Sequence, residues 1–189
     1  MAKHDWEYDN AQEAIRATAA RLFCANGVDG TSLADIAQEI HLSKGTLYYY
    51  YPSKDDLVQE IAELHLGDIT AALFDWLDGV QGSETVQQLV AALADTLLSD
   101  TDRLRLHFAL NAAAMRGDGE LRQRFAIKHK EWSVLVELAA GRLSGARGAG
   151  LCSRSEALLC LIEGCGWRAL VGDAPTAEQI GGLFSVLSS

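Results

Sequence analysis

The sequence predicts an all-α protein, and three features of the chain support this. Apolar residues recur at intervals of three and four, the spacing of one helix face, most regularly at Val86, Leu89, Val90, Leu93, Ala94 and Leu97. We find no convincing alternation of apolar and polar residues of the kind that marks a half-buried strand. Glycine clusters and the two prolines divide the periodic segments into about nine helices.

Start and stop signals bound the predicted helices. Gly27 follows the first periodic segment, and Pro52 disfavours helical geometry at Tyr51. Glycine-containing loops separate the later helices. On these signals the helices cover residues 10–26, 33–40, 44–50, 54–77, 84–98, 102–116, 120–143 and 153–171, with a last one from Pro175 and Thr176 to about Leu187.

Three helix starts follow one another closely between Thr31 and Leu57. Ser32 and Ser53 each precede an aspartate by three residues, so both can form capping boxes, and Ser43 can cap the helix between them. The first of these helices has one apolar face, made by Leu33, Ile36, Ala37 and Ile40. A helix, a short turn and a second helix in this spacing are typical of a DNA-binding helix-turn-helix.

The same region resembles the N-terminal domain of the TetR family of bacterial transcriptional regulators. The matching features, in order, are AxxLF at Ala19–Phe23, Gly27, TSLADIA from Thr31 and LSKGTLYYYYPSKDDL from Leu42. They cover about residues 10–60, and the rest of the chain carries no motif. The resemblance implies a helix-turn-helix DNA-binding domain at residues 1–53 and a helical ligand-binding and dimerisation domain at 54–189.

The resemblance also implies a function. Members of this family are regulators, by default repressors, so the chain is expected to bind a palindromic operator in double-stranded DNA as a homodimer. An unknown small-molecule effector, bound in the C-terminal domain, would release it. The homodimer is expected to form through the last two helices.

The DNA-binding residues are expected at the start of the third predicted helix and beside it. A recognition helix presents its N-terminal residues to base edges and its flanks to phosphate. The resemblance implies base contacts from Lys44, Thr46 and Tyr48, and Gly45 leaves room for the backbone to approach DNA closely. It implies contacts with the DNA backbone from Thr31, Tyr49 and Lys54. The full set is Thr31, Ser32, Ser43, Lys44, Gly45, Thr46, Tyr48, Tyr49 and Lys54.

Two further residues of this region have structural rather than DNA-binding interpretations. Tyr51 is expected in the core, because it stands where the family most often has phenylalanine. Tyr48 and Tyr49 are expected to be exposed, since four consecutive tyrosines cannot all face the interior of so short a helix. His41 stands in the turn where the family usually has glycine. That position tends to need a positive φ, which histidine tolerates better than most residues but worse than glycine.

The charge of the chain opposes the DNA-binding interpretation. The protein has a net charge of −10, and residues 1–55 contain five basic and eight acidic residues. DNA binding must then depend on a few placed groups, because a net charge does not describe one face of a domain. The same acidity favours an alternative, a helical small-molecule-binding protein that has lost DNA binding.

The C-terminal part offers candidates for a ligand pocket and for a dimer interface. Pockets are mostly apolar with a few polar groups, which selects His107, Phe108, Asn111, Met115, Trp132, Glu163 and Trp167. The last two helices are too apolar for a single buried stripe, which fits a dimer interface or a fully buried core helix. The interface candidates are Leu158, Ile162, Cys165, Ile180, Leu183, Phe184 and Leu187.

Other classes of function find no support in the sequence. No apolar segment is long enough to span a membrane, and the N-terminus lacks a signal core, so we expect a cytoplasmic protein without membrane contact. The four cysteines have no disulfide-framework or metal-site spacing, so no metal or other cofactor is expected. An enzyme is not expected either, because no nucleophile elbow, metalloprotease motif or phosphate loop occurs.

Overall fold

The computed structural model describes residues 8–117, 119–143 and 148–187. Within these ranges all regular structure is α-helical, which confirms the predicted fold class. The helices are α1 (Tyr8–Asn26), α2 (Leu33–Glu39), α3 (Lys44–Tyr50), α4 (Lys54–Gly79), α5 (Val86–Leu98), α6 (Thr101–Arg116), α7 (Gly119–Arg142), α8 (Ala149–Cys152), α9 (Ser155–Leu170) and α10 (Ala177–Leu187). The helix that the sequence did not predict is α8, a single turn that precedes α9.

Helix α5 begins two residues later than predicted, and its cap explains why. The Thr85 hydroxyl accepts a hydrogen bond from the Gln88 N–H at 3.1 Å, and the Gln88 side chain accepts one from the Thr85 N–H at 2.9 Å. This reciprocal capping box fixes Thr85 as the residue before the helix. The Glu84 carboxylate instead accepts a hydrogen bond from the Gln81 N–H at 2.8 Å, which closes the preceding loop.

The chain forms two compact units. The first comprises Met1–His65 and Arg105–Arg122, and the second comprises Leu66–Leu104 and Gln123–Ser189. The predicted domain boundary after residue 53 marks the end of the helix-turn-helix motif. In the structure, residues 54–65 of α4 belong to the first compact unit.

The core of the first unit gathers the inner faces of α1, α2 and α3. In α1, Ile15, Ala19 and Phe23 are fully buried, and Leu22 is half-buried. Leu47 anchors α3 and Tyr51 follows it into the core, as predicted. The side chains of this core are Ile15, Ala19, Phe23, Ile36, Ala37, Leu47, Tyr51, Leu57 and Ile61.

In the second unit, α10 packs along α5. The predicted stripe of α5 is buried at Leu89, Val90, Leu93 and Ala94. Gly181 allows the two helices to approach closely, because a Cβ at this position would lie 2.4 Å from the backbone oxygen of Gln87. Elsewhere in this unit, the buried Trp132 indole donates a hydrogen bond from Nε1 to the Thr70 hydroxyl at 2.9 Å.

None of the helices, as far as the structure describes them, is long and apolar enough to cross a bilayer.

Candidate nucleic-acid interface

Helix α2 is closed at both ends by side-chain and backbone caps. At its start, Ser32 and Asp35 form the predicted capping box, with the Asp35 N–H donating to the Ser32 hydroxyl at 3.2 Å. The Ser32 hydroxyl and N–H both donate to the Asp35 carboxylate, and these hydrogen bonds lower the pKa of Asp35. The cap therefore fixes where α2 begins and keeps a negative charge at its N-terminus, where the helix dipole favours it.

The turn from α2 to α3 is a Schellman motif with histidine at the position that usually carries glycine. The Leu42 N–H donates to the Ala37 oxygen at 2.9 Å, and the His41 N–H donates to the Gln38 oxygen at 3.2 Å. His41 has a φ of +56°, and the described ranges contain no other non-glycine residue with positive φ. This is the backbone geometry that the sequence predicts for His41.

Helix α3 is held by its inner side and presents its outer side to solvent. Its cap is Ser43, whose hydroxyl accepts from the Thr46 N–H at 3.0 Å. Leu47 is fully buried on the inner side, whereas Tyr48 is 52% exposed and Tyr49 is 74% exposed. Lys44, Gly45 and Thr46 are exposed as well. The exposure of both tyrosines agrees with the sequence prediction.

The fold does not require glycine at position 45. A Cβ built at Gly45 would meet only the Ser43 hydroxyl oxygen, at 3.9 Å, which is ordinary van der Waals contact. Glycine is a poor helix residue, so its presence in an exposed helix needs another reason. Close approach of this backbone to a ligand is such a reason.

Thr31, which was predicted to contact the DNA backbone, lies between α1 and α2. Its side chain is buried, and its hydroxyl donates to the backbone oxygen of Gly27 at 3.0 Å, with the Leu22 oxygen also within reach at 3.3 Å. Gly27 directly follows α1, and Leu22 lies in the last turns of that helix. Thr31 therefore joins the end of α1 to the start of α2 in this conformation.

Several basic residues of the first unit are already paired with carboxylates. Arg16 contacts Glu60 at 2.7 Å, and Arg21 contacts Glu39 at 2.5 Å. Lys44 and Lys54 lie instead at the N-terminal ends of α3 and α4, where the helix dipole adds positive potential. Lys44 and Lys54 thus place positive charge at two helix starts.

Four of the predicted pocket residues lie in the first unit. His107 is buried, and its Nδ1 lies 3.1 Å from Nε2 of the equally buried His65, a partner that sequence reasoning missed. The two histidines are 42 positions apart, so no local pattern could have paired them. Phe108 packs its ring edge-to-face against His107, and Asn111 is half-buried. Met115 is 74% exposed, which does not fit an enclosed pocket wall, because it lies on the outer side of α6.

The other pocket candidates lie in the second unit. Trp132 is buried, and beside it His129 Nε2 lies 3.0 Å from a carboxylate oxygen of Glu163. This imidazole–carboxylate pair joins α7 to α9. Trp167 is 58% exposed on the outer side of α9, so it does not fit an enclosed wall either.

Most of the predicted dimer-interface residues are already buried within one chain. The inner faces of α9 and α10 pack into the core of the second unit, so the side chains in this position are Leu158, Ile162, Cys165, Ile180 and Phe184. Burial raises the pKa of the Cys165 thiol, as expected for a structural cysteine. Leu183 is exposed, and the Leu187 side chain lies outside the described residues.

Comparison with known proteins identifies the first unit. The family profile described as "Bacterial regulatory proteins, tetR family" matches residues 15–61, the segment that contains α2 and α3. This segment belongs to the tetR family of bacterial regulatory proteins. The match ends within α4, so it covers the helix-turn-helix and not the second unit.

Three TetR-type relatives illustrate how far the similarity extends. The transcriptional regulator AcrR of Shigella flexneri is 27% identical over 115 residues, which are 59% of this chain and 54% of AcrR. The regulator LmrA of Bacillus subtilis is 28% identical over 83% of this chain and 85% of LmrA. The negative regulator IcaR of the icaADBC biofilm operon in Staphylococcus epidermidis is 38% identical over 24% of each chain. The chain thus spans about half the length of the first relative and most of the second.

Solved structures extend the likeness of fold to nearly the whole chain. A TetR transcription regulator from Haloarcula marismortui has a TM-score of 0.71 at 19% identity, over 96% of this chain and 97% of that chain. AibR, solved with isovaleryl coenzyme A and operator DNA, has a TM-score of 0.64 at 19% identity, over 93% and 96%. At this identity the likeness shows the fold alone.

Proposed function

We propose that the protein is a transcriptional repressor that binds a palindromic operator as a homodimer and is released by a small molecule. The observation that carries this proposal is the exposed outer side of α3. Lys44, Gly45 and Thr46 begin the helix, Tyr48 and Tyr49 continue it, and Leu47 fixes it to the core from behind. A short helix anchored in this way can enter the major groove with its N-terminal residues at the base edges.

Each exposed group of α3 has a suitable role toward DNA. Lys44 can donate to guanine or to phosphate, and the Thr46 methyl suits a thymine methyl. Tyr48 and Tyr49 combine apolar ring faces with hydroxyl donors. Lys54, at the start of α4, would hold a phosphate and so fix the position of the domain on the duplex.

Repression and release by an effector are supported by the relatives rather than by a site in this chain. IcaR is described as a negative regulator, and AibR was solved with both an acyl coenzyme A and operator DNA. By analogy, two α3 helices would occupy successive major grooves, with half-sites about one or one and a half helical turns apart. The effector would favour a conformation in which α4 moves and this spacing is lost, to the extent that it binds the two conformations differently.

The second candidate function is a helical small-molecule-binding protein without DNA affinity. It is favoured by the excess of acidic residues in the N-terminal part. The relatives named above are regulators, so we do not propose a catalytic function.

A salt-titrated binding experiment separates the two candidates. Fluorescence anisotropy would measure binding of the effector-free protein to duplexes from the region upstream of its own gene, with a shuffled duplex as control. We expect saturable, sequence-selective binding that weakens steeply with salt, because a few lysines supply the phosphate contacts. Absence of selective binding to any such duplex at low salt would leave only the second candidate.

A further inference from the structure

The first unit contains a cleft beside the start of α4. Its walls are the loop between α1 and α2, the first turns of α4, the end of α6 and the start of α7, and its volume is about 390 Å³. Binding sites for small molecules begin at about 300 Å³, so the cleft has room for a small metabolite. All of its walls belong to the first unit.

The floor of the cleft is apolar. Its side chains are buried, and they come from four different elements of the unit, so the floor depends on the fold rather than on one helix. A ligand that covers this floor needs an apolar part of its own. The floor residues are Val28, Val58, Ala113 and Leu121.

The rim of the cleft carries two positive and two negative groups. Arg116, at the end of α6, pairs with Asp29, and its Nε lies 2.8 Å from a carboxylate oxygen. Lys54 and Asp55, at the start of α4, lie on the same rim. Because these four charges cancel, a ligand with one charge of each sign complements the rim better than a simple anion or a simple cation.

The ion pair on the rim can be opened at little cost. Arg116 is 59% exposed and Asp29 is 65% exposed, and a pair this exposed contributes little to stability. A carboxylate of a ligand can therefore replace Asp29 on the guanidinium, where two parallel hydrogen bonds are available to it. An ammonium group of the same ligand can replace Arg116 on the Asp29 carboxylate.

Gln59 supplies an acceptor that lacks a donor. It lines the cleft from α4, and its side-chain Oε1 is buried and accepts no hydrogen bond from the residues that the structure describes. A buried acceptor in this state destabilises the folded chain. A ligand N–H at the wall of the cleft would satisfy it.

We propose that this cleft binds an α-amino acid with an aliphatic side chain, in its zwitterionic form. The α-carboxylate pairs with Arg116 and lies beside Lys54. The α-ammonium donates to Asp29 and to Gln59. The aliphatic side chain covers the apolar floor, so each part of the ligand has a partner of matching chemistry in the cleft.

Occupancy of the cleft also weakens DNA binding, and this part of the inference rests on the proposed function. Lys54 is the proposed phosphate contact at the start of α4. A carboxylate beside its ammonium group neutralises the charge that it offers to phosphate. By linkage, operator DNA weakens binding of the amino acid by the same factor.

Isothermal titration calorimetry of the full chain with L-leucine, in the absence of DNA, tests the site. Isocaproate and isoamylamine are the matched control ligands, since each keeps the leucine side chain and lacks one of the two charges. We expect saturable binding of L-leucine and binding at least about tenfold weaker for either control ligand, because each leaves one ionic partner unused. Absence of saturable leucine binding, or equal binding of either control ligand, would overturn the proposal.

Gln59→Leu tests whether leucine binds in this cleft. It should weaken leucine binding about tenfold, whereas its free energy of unfolding in urea should stay equal or rise, because the variant removes a buried acceptor without a donor. Gln123→Leu, an exposed substitution on α7 outside the cleft, is the matched control and should leave leucine binding unchanged. A Gln59→Leu chain that binds leucine as the natural chain does would overturn the proposal.

Arg116→Gln is a second test that does not depend on Gln59. Its exposed ion pair contributes little to folding, so we expect an unchanged thermal midpoint and leucine binding about tenfold weaker. Arg122→Gln, also exposed and outside the cleft, is its matched control. Unchanged leucine binding in Arg116→Gln would place the amino acid elsewhere and overturn the proposal, also in the case that Gln59→Leu fails to fold.

Failure of this site and failure of the proposed repressor are distinguishable. A chain that binds leucine in the cleft but binds no operator would refute the repressor and leave the site intact. A chain that binds its operator but shows no saturable leucine binding would overturn the site and leave the repressor intact. Where both bind, leucine should raise the dissociation constant of the operator measured by fluorescence anisotropy, and an unchanged constant would overturn the coupling through Lys54.

Discussion

Gly45→Ala should make the protein slightly more stable and markedly worse at binding DNA. In the folded chain a methyl group at this position has room, since its nearest neighbour would be the Ser43 hydroxyl oxygen at 3.9 Å. Alanine is better than glycine within a helix by about 0.5–1 kcal/mol. Because position 45 lies in the first turn of α3, we expect the lower end of that range for the free energy of unfolding.

The expected loss of DNA affinity has the opposite sign. If the Gly45 backbone lies against the floor of the major groove, a methyl group pushes the whole N-terminus of α3 away from the base edges. Losing one good base contact costs about 1–3 kcal/mol, which corresponds to roughly tenfold to a hundredfold in the dissociation constant. Urea unfolding and fluorescence anisotropy at fixed salt would measure the two quantities on the same preparation.

Gly67→Ala is the matched control for this experiment. Gly67 lies within α4, is exposed, and a Cβ there would meet nothing within 4 Å. It should gain about 0.5–1 kcal/mol of stability with no change in DNA affinity. The reasoning is refuted if Gly45→Ala binds the operator within twofold of the natural chain, or if it unfolds more easily than the natural chain.

Four further predictions concern the same region. Lys44→Ala should weaken specific DNA binding about tenfold and lower the salt slope of binding by about one, with an unchanged thermal midpoint; a large drop in that midpoint would mean that Lys44 is structural. Thr31→Val should lower the free energy of unfolding by about 1–2 kcal/mol, because it removes the buried hydroxyl that donates to the Gly27 carbonyl. At a temperature where Thr31→Val is folded, its affinity for DNA should equal that of the natural chain. A loss of DNA affinity under these conditions would show that Thr31 contacts DNA. Asp35 has a lowered pKa in the folded chain, so its cap stabilises above the ordinary pKa of 3.8 and is lost as the pH falls through the folded value. Stability measured between about pH 5 and pH 3 should therefore fall more steeply in the natural chain than in Asp35→Ala, and equal slopes would contradict this. His41→Gly should raise the free energy of unfolding by roughly 0.5 kcal/mol, since glycine adopts the φ of +56° without strain, and a loss of stability by chemical unfolding would show that the His41 side chain is structural.

Local chemistry made the helix-turn-helix predictable from sequence. The caps at Ser32, Ser43 and Ser53 depend on residues three positions apart, and all three form as predicted. The inward position of Leu47 and the outward positions of Tyr48 and Tyr49 follow from the period of one short helix. Such signals need no knowledge of the rest of the fold.

The second unit was less predictable because its helices have more than one apolar face. The sequence showed that α9 is too apolar for one stripe, but not which stripe joins the core of its own chain. In the structure α9 packs against α5, with Leu158 and Ile162 buried and Trp167 exposed. Hydrophobicity alone does not separate these two sides of the helix.

The buried histidine pair shows the same limit for polar residues. His65 and His107 come together because α4 and α6 contribute to one packed unit, although the two residues are 42 positions apart in the sequence. The hydroxyl of Thr31 is a milder case, since its acceptors Leu22 and Gly27 are near in sequence but lie across a turn. Long-range packing, rather than residue type, decides such roles.

The acidity of the chain is compatible with DNA binding once its charges are placed. Glu39 and Glu60 are neutralised by Arg21 and Arg16, and Asp35 is bound by the hydroxyl and N–H of Ser32. These contacts reduce the repulsion that a formal count assigns to the domain, while the lysines at the starts of α3 and α4 keep their charge at the proposed contact surface. Two lysines would make only a few phosphate contacts, which supply little non-specific affinity for DNA. Discrimination between the operator and other DNA would then depend on the fit of α3 to the bases. For that reason a single methyl group at Gly45 should affect binding as much as the removal of a lysine.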